Sequence, residues 1–127
     1  MTDSAHLAHR KLLGRWGEDR AVDYLKKAGY AIVERNVRSR MGEIDIVARD
    51  GGCLVFVEVR TRRSGQMAPE ESVGAIKQRR VADLGAQYVA AHKIADAEWR
   101  GDVVAIEQDA LGKLLRLEHF INVIEEQ

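Results

Sequence analysis

At 127 residues, 46% hydrophobic and with 20 Lys/Arg against 20 Asp/Glu, the chain is long enough to bury one core and carries no net charge. No apolar run approaches the 18 or more residues of a membrane span, and the start, MTDSAHLAHRKLLGRWGEDR, has no signal-peptide core, so a cytoplasmic protein without membrane contact is expected. The lone Cys53 and four scattered histidines argue against an internal disulfide and against zinc-ligand spacing.

From about His9 to Ala28 the residues Leu13, Trp16, Ala21, Leu25 and Ala28 recur at helical spacing, and Gly29 stops the helix. Three strand-like segments follow, Tyr30–Val37, Glu43–Arg49 and Cys53–Arg60, the last two joined at Asp50-Gly51-Gly52. A loop over Thr61–Glu71 holds Gly65 and the only proline, Pro69. A second helix is predicted from about Val73 to His92, with Val73, Ile76, Val81, Leu84 and Tyr88 on one stripe. Strands around Asp102–Glu107 and Leu114–His119 close the chain. Without repeats, low-complexity segments or a Pro-rich linker, the order α-β-β-β-α-β-β predicts one α/β domain over residues 1–127, a mixed sheet with helices packed on it.

The charges are unevenly spread. Residues 1–80 hold 16 of the 20 Lys/Arg and 11 of the 20 Asp/Glu, a surplus of five positive charges that residues 81–127 balance. This permits a basic face. Arg35, Arg38 and Arg40 precede the first acidic strand, Arg60, Arg62 and Arg63 follow the second, and Lys77, Arg79 and Arg80 lie on the second helix. Taken alone, such residues fit a solvated face; they gain meaning beside a chemical centre.

The hairpin supplies one. If Gly51-Gly52 form a two-residue turn, Asp45 stands across from Glu58 and Glu43 across from Arg60. Strand alternation then gathers Ile44, Ile46, Ala48, Val55, Val57 and Val59 on one apolar face and puts the acids on the other with Val47 and Phe56. A turn at Asp50-Gly51 pairs Glu43 with Glu58 instead and keeps Asp45 on the same face. Either register clusters Glu43, Asp45 and Glu58, and like charges opposed across strands repel. A raised pKa, a neighbouring Arg or Lys, or a divalent cation must compensate. A structural bridge between Arg60 and Glu43 is the plain reading; three converging acids with basic flanks point further, to Mg²⁺ or Mn²⁺, which hard carboxylates select.

The stretch GRWGEDRAVDYLKKAGYAIVERNVRSRMGEIDIVARDGGCLVFVEVRTR, followed by AIKQRR on a helix and RGDVVAIE beyond, resembles the bacterial YraN-like family. That family is similar to the PD-(D/E)XK nuclease superfamily and, within it, to the archaeal Holliday-junction resolvases. The resemblance implies a restriction-endonuclease-like core of α-β-β-β-α-β order, with Asp45 and Glu58 as metal ligands and Glu18 as an outer acid near the metal. Gly14, Ala21, Val22 and Leu25 share one side of the first helix, so Glu18 is expected half-buried toward the sheet, where it could equally form a structural ion pair.

The chain departs from that pattern at Arg60, where the motif carries lysine. Arginine keeps the charge but is a poor proton acceptor. Lys77, four residues from both Val73 and Val81, falls within the apolar stripe, where it either snorkels outward or reaches toward Glu58 in place of the missing lysine. Gln78, Arg79 and Arg80, with Arg38, Arg40, Arg62 and Arg63, are the expected phosphate contacts. The resemblance thus implies a Mg²⁺- or Mn²⁺-dependent endonuclease selecting branched or junction DNA, with DNA favoured over RNA. A catalytically impaired nucleic-acid-binding module is the other reading. A resolvase-like role would imply a two-fold homodimer.

Overall fold

The computed structural model describes residues 2–65, 75–94 and 96–123, without the side chains of residues 2–7 and 75–80. Among the described residues seven elements follow in order: α1 (Thr2–Lys27), β1 (Ala31–Ser39), β2 (Gly42–Asp50), β3 (Cys53–Arg63), α2 (Ala75–Ala91), β4 (Glu98–Gln108) and β5 (Leu114–Phe120). The sheet order is β1-β2-β3-β4-β5. β1, β2 and β3 form an antiparallel meander, α2 carries the chain over to β4, which runs parallel to β3, and β5 returns antiparallel. This is the mixed sheet flanked by helices that the element order predicted, and the fold is restriction-endonuclease-like.

Each helix covers one face. Ala21, Val22 and Leu25 of α1 pack on Ile46, Ala48, Val55, Val57, Val104 and Ile106. On the other face, Leu84, Tyr88 and Val89 of α2 pack on Ile44, Val47, Leu54 and Phe56. The central strands β3 and β4 are thus buried on both sides, which is why LVFV and VVAI read as unbroken apolar runs. Of the expected α2 stripe, Val81, Leu84 and Tyr88 meet the core; the side chains of Val73 and Ile76 lie outside the described residues, as does Pro69.

Several boundaries differ from those expected, for physical reasons. α1 begins at Thr2 and not near His9; residues 8–12 are exposed on it, so no buried stripe there marks the helix. β3 continues to Arg63, through residues expected to form a loop, because β4 pairs beside it as far as Arg63↔Gln108. β4 likewise starts at Glu98, opposite Cys53. The β2–β3 turn is Gly51-Gly52, closed by Asp50↔Cys53, with Gly51 in the left-handed region at φ 59°.

A buried polar network ties β5 to the rest. The Asp102 carboxylate, fully buried, accepts from Arg100 Nε at 3.1 Å, His119 Nε2 at 2.7 Å and the Asn122 N–H at 2.9 Å. Because a carboxylate only accepts, Nε2 carries the imidazole proton, and the Tyr24 hydroxyl donates to Nδ1 at 3.1 Å. Arg100 also reaches the Tyr30 hydroxyl at 2.9 Å.

Candidate functional site

The site forms where β2 and β3 part. Their ladder runs from Asp50↔Cys53 to Ile46↔Val57 and stops. At the next position Asp45 turns its carboxylate into the gap, and Oδ2 accepts the Val59 N–H at 2.8 Å. A side chain thus satisfies a donor that the ladder would otherwise have paired, and the strands fork around an acid.

Across from the fork, β1 is kinked. Asn36, at φ 55°, stands between the pairs Arg35↔Ile46 and Val37↔Ile44. Asparagine is one of the few residues that tolerate this backbone region. Arg35 and Asn36 therefore both reach toward α1, and Asp45 and Ile46 do the same on β2, whereas Val37 and Ile44 pack under α2. This corrects the strict alternation expected along β2. Asp45 lies on the α1 face, not beside Val47 and Phe56.

α1 supplies the next acid. A Cβ on Gly17 would lie 2.0 Å from Thr61 Oγ1, so only glycine lets the helix lie this close to β3, and the following residue is Glu18. Its side chain is 12% exposed, as the helix face predicted. Glu18 Oε1 accepts from Arg35 Nε at 3.0 Å and Asn36 Nδ2 at 3.1 Å, and Arg35 also donates to Asp19 Oδ1 at 2.7 Å. The carboxylates of Glu18, Glu43 and Asp45 all lie within 4.8 Å of one another. They border an open cleft of ≈ 640 Å³ whose walls carry Lys11, Arg15, Arg35 and Arg38.

Burial pushes the Asp45 carboxyl up to about 7 against the pull of the Val59 N–H, and the negative charges of Glu58, Glu18 and Glu43 add to the rise in that order. Glu58 therefore acts on Asp45 although it stands outside the close triplet. Along β3, Val59 and Thr61 face α1, so alternation turns Glu58 and Arg60 to the side of α2. Arg60 lies 3.4 Å from Glu58 Oε1. The bridge between Arg60 and Glu43, the plainer of the two readings of the sequence, does not form, because Arg60 faces the α2 side while Glu43 joins Glu18 and Asp45 on the α1 side; Glu43 meets Arg38 at 3.3 Å instead. Glu58 Oε2 and Arg60 Nε are buried without a hydrogen-bond partner among the described residues. Such orphaned groups mark a place where a further ligand would be satisfied.

The helix bearing Lys77 covers the face from which Glu58 and Arg60 project, but the side chains of Lys77, Gln78, Arg79 and Arg80 lie outside the described residues. Of the other expected contacts, Arg38 lines the cleft with its side chain 82% exposed, and Arg40 is exposed just beyond β1. Arg62 donates to the Thr61 carbonyl at 2.9 Å, and Arg63 meets His9 of α1.

Do these residues fit a divalent ion? Two oxygens bound to Mg²⁺ at about 2.1 Å stand no more than about 4.2 Å apart. A triplet already within 4.8 Å closes on an ion with sub-ångström movements, and its all-oxygen donor set suits Mg²⁺ or Mn²⁺. They fit. Sequence reasoning left out Asn36, Asp19, Lys11 and Arg15 and did not foresee that Arg35 clamps Glu18. Asn36 alone carried a signal, being a residue poor in strands inside the run YAIVERNV.

Comparison with known proteins bears on the same segment. The model of a family described as "Uncharacterised protein family UPF0102" matches residues 17–106. A UPF0102 protein of Geobacter metallireducens is 45% identical over 118 residues, 92% of this chain and 95% of its own length. The chain belongs to the UPF0102 family. Another UPF0102 protein, from Symbiobacterium thermophilum, is 48% identical over 103 residues, 80% of this chain and 87% of its own. One from Geotalea uraniireducens reaches 50% over 102 residues, 80% of each. UPF0102 is the YraN-like family of the resemblance, a member of the PD-(D/E)XK-like nuclease superfamily, and the matched residues span Glu18, Glu43, Asp45, Glu58 and Arg60.

Proposed function

We propose that this UPF0102 protein is a metal-dependent endonuclease that hydrolyses phosphodiesters in DNA, selecting branched or junction structures. The observation that carries the reading is the triplet Glu18, Glu43 and Asp45, three acids within 4.8 Å of one another at a strand fork and walled by basic side chains. A bound Mg²⁺ or Mn²⁺ would supply a water of lowered pKa and neutralise charge growing on the phosphodiester. Asp45 gives up its proton to become a ligand, Glu43 and Glu18 complete the set, and Glu58 approaches from the far side of the fork. Arg38, Arg40 and the cleft residues Lys11 and Arg15 hold the phosphates, which fixes position without reading sequence.

Arg60 stabilises negative charge but does not take a proton from the attacking water. In this reading Lys77 of α2 fills the role of the motif lysine. The second reading, a DNA-binding module without catalysis, is favoured by Arg60 itself, which lies 3.4 Å from Glu58 where the motif carries lysine.

Single-turnover cleavage of a branched DNA with Mn²⁺ separates the two. If Lys77 serves, Lys77→Ala abolishes cutting, Arg60→Ala harms it less and Arg60→Lys changes it little. If Arg60 is the sole defect, wild type is nearly inert and Arg60→Lys restores Mn²⁺-dependent cutting. Asp45→Asn should be inactive in either case. Inactivity of wild type and all variants on branched, flapped, single-stranded and duplex DNA, with binding retained in chelator, leaves only the binding module.

A further inference from the structure

The two edges of the sheet are unlike. β1 is protected against pairing with another chain, by a register shift between Ile32 and Glu34, by the kink at Asn36 and by Glu34, Arg35 and Arg38 along its length. β5, the opposite edge, holds neither lysine nor proline, and its only register shift falls at its start, leaving Arg116–Phe120 regular. Apolar side chains stand exposed at both of its ends. Leu114 and Leu115 are 47% and 53% exposed where it begins, and Ile121 is 58% exposed just past Phe120. A regular edge without lysine, proline or a mid-strand bulge, flanked by exposed apolar residues, is a template for another strand.

The sequence of the edge selects that strand. Arg116 and Glu118 sit one residue either side of Leu117 and share a face, their side chains 2.6 Å apart. A second β5 laid antiparallel about a two-fold axis through Leu117 brings Arg116 of each copy opposite Glu118 of the other. The same axis brings Leu114, at the start of one strand, opposite Phe120 near the end of the other, and Leu115 opposite His119. Arg116 with Glu118 and Leu114 with Phe120 are thus matched in one register, and oppositely charged or apolar cross-strand pairs each favour it. A parallel copy in register would instead align Arg116 with Arg116 and Glu118 with Glu118.

We infer that β5 is a homodimer surface, joining two copies of this chain edge to edge, antiparallel about Leu117, into one continuous sheet. Both candidate clefts stay open, because Glu43 and Asp45 lie on β2, three strands from this edge. The inference stands independently of the nuclease reading.

Sedimentation equilibrium of the full chain tests it. Wild type is expected at twice the 14.2 kDa chain mass. Arg116→Glu and Glu118→Arg each put like charges in register, and each should weaken dimerisation at least tenfold. An equimolar mixture of the two variants should form a heterodimer, since the edge of one is then acidic at both positions and faces an edge that is basic at both. A chain carrying both substitutions should dimerise as wild type does. Circular dichroism checks that each variant is folded; if one is not, Leu114→Lys with Leu115→Lys, at exposed positions, tests the apolar ends instead. A monomeric wild type, or single variants that dimerise as tightly as wild type, would overturn the inference.

Discussion

Asp45 is where fold and chemistry compete. Its carboxyl is held up to about 7 by burial, then by repulsion from Glu58, Glu18 and Glu43, with the Val59 N–H opposing. The native state therefore keeps a proton that the unfolded chain loses near pH 4, and this group makes the protein less stable as pH rises from about 4 to about 7. The loss is on the order of 4 kcal/mol at one pKa unit per 1.36 kcal/mol. Asp45→Asn keeps an acceptor for Val59 and carries no charge. Urea melts without metal should find the variant more stable than wild type at pH 8 and the two similar at pH 4. Ion binding must displace the same proton, so Mn²⁺ should stabilise wild type more as pH rises through about 7 and should scarcely stabilise the variant. Equal Mn²⁺ stabilisation of both proteins would remove Asp45 from the ligand set.

Two glycines on α1 make opposite predictions about how that helix docks. Gly14 has open space where a Cβ would stand, so Gly14→Ala should stabilise by roughly 0.5–1 kcal/mol through helix propensity. Gly17 has Thr61 Oγ1 at 2.0 Å and Thr61 Cβ at 2.9 Å, so Gly17→Ala should destabilise by about 1–3 kcal/mol and push Glu18 off the fork. Urea denaturation of the two variants side by side is the check, and equal behaviour would mean that α1 does not rest on β3 as described. The β4–β5 pair has its own anchor. Burial alone would raise the Asp102 carboxyl, but hydrogen bonds from His119, the Asn122 N–H and Arg100 together hold it below the usual carboxylate range. Its contribution is thus present above about pH 4 and lost as pH falls through the lowered value. Asp102→Ala leaves His119 Nε2 and Arg100 Nε without an acceptor while Arg100 keeps Tyr30 and Asp50, and should cost about 1–3 kcal/mol at pH 7, read from the same denaturation curves.

Among the described residues, Lys11, Arg15, Arg35 and Arg38, part of the positive charge of residues 1–80, line the cleft between α1, β1 and β2. If that cleft holds phosphates, replacing Arg15, Arg38 and Arg40 by alanine should flatten the dependence of DNA affinity on salt. Each lost phosphate contact lowers the log–log slope on duplex DNA by about 0.9. An unchanged slope would return these residues to a solvated face. Arg35 is left out of that set because its bonds to Glu18 and Asp19 make it part of the acid cluster, so its loss would confound binding with the position of Glu18.

Periodicity carried the element order, the mixed sheet and the Gly51-Gly52 turn, because each rests on neighbours in the chain: apolar spacing makes a helix or strand, and a glycine pair makes a tight turn. The acids Glu43, Asp45 and Glu58 were legible for the same reason, two short motifs on adjoining strands. How they combine was not. A single left-handed residue, Asn36, shifts which side chains face α1, and a fork replaces the ladder at the point where local alternation was extended. Glu18 joins Asp45 from a helix 27 residues upstream only because Gly17 lets that helix touch Thr61. Such contacts depend on packing between segments distant in sequence, and periodicity within a segment holds no record of them.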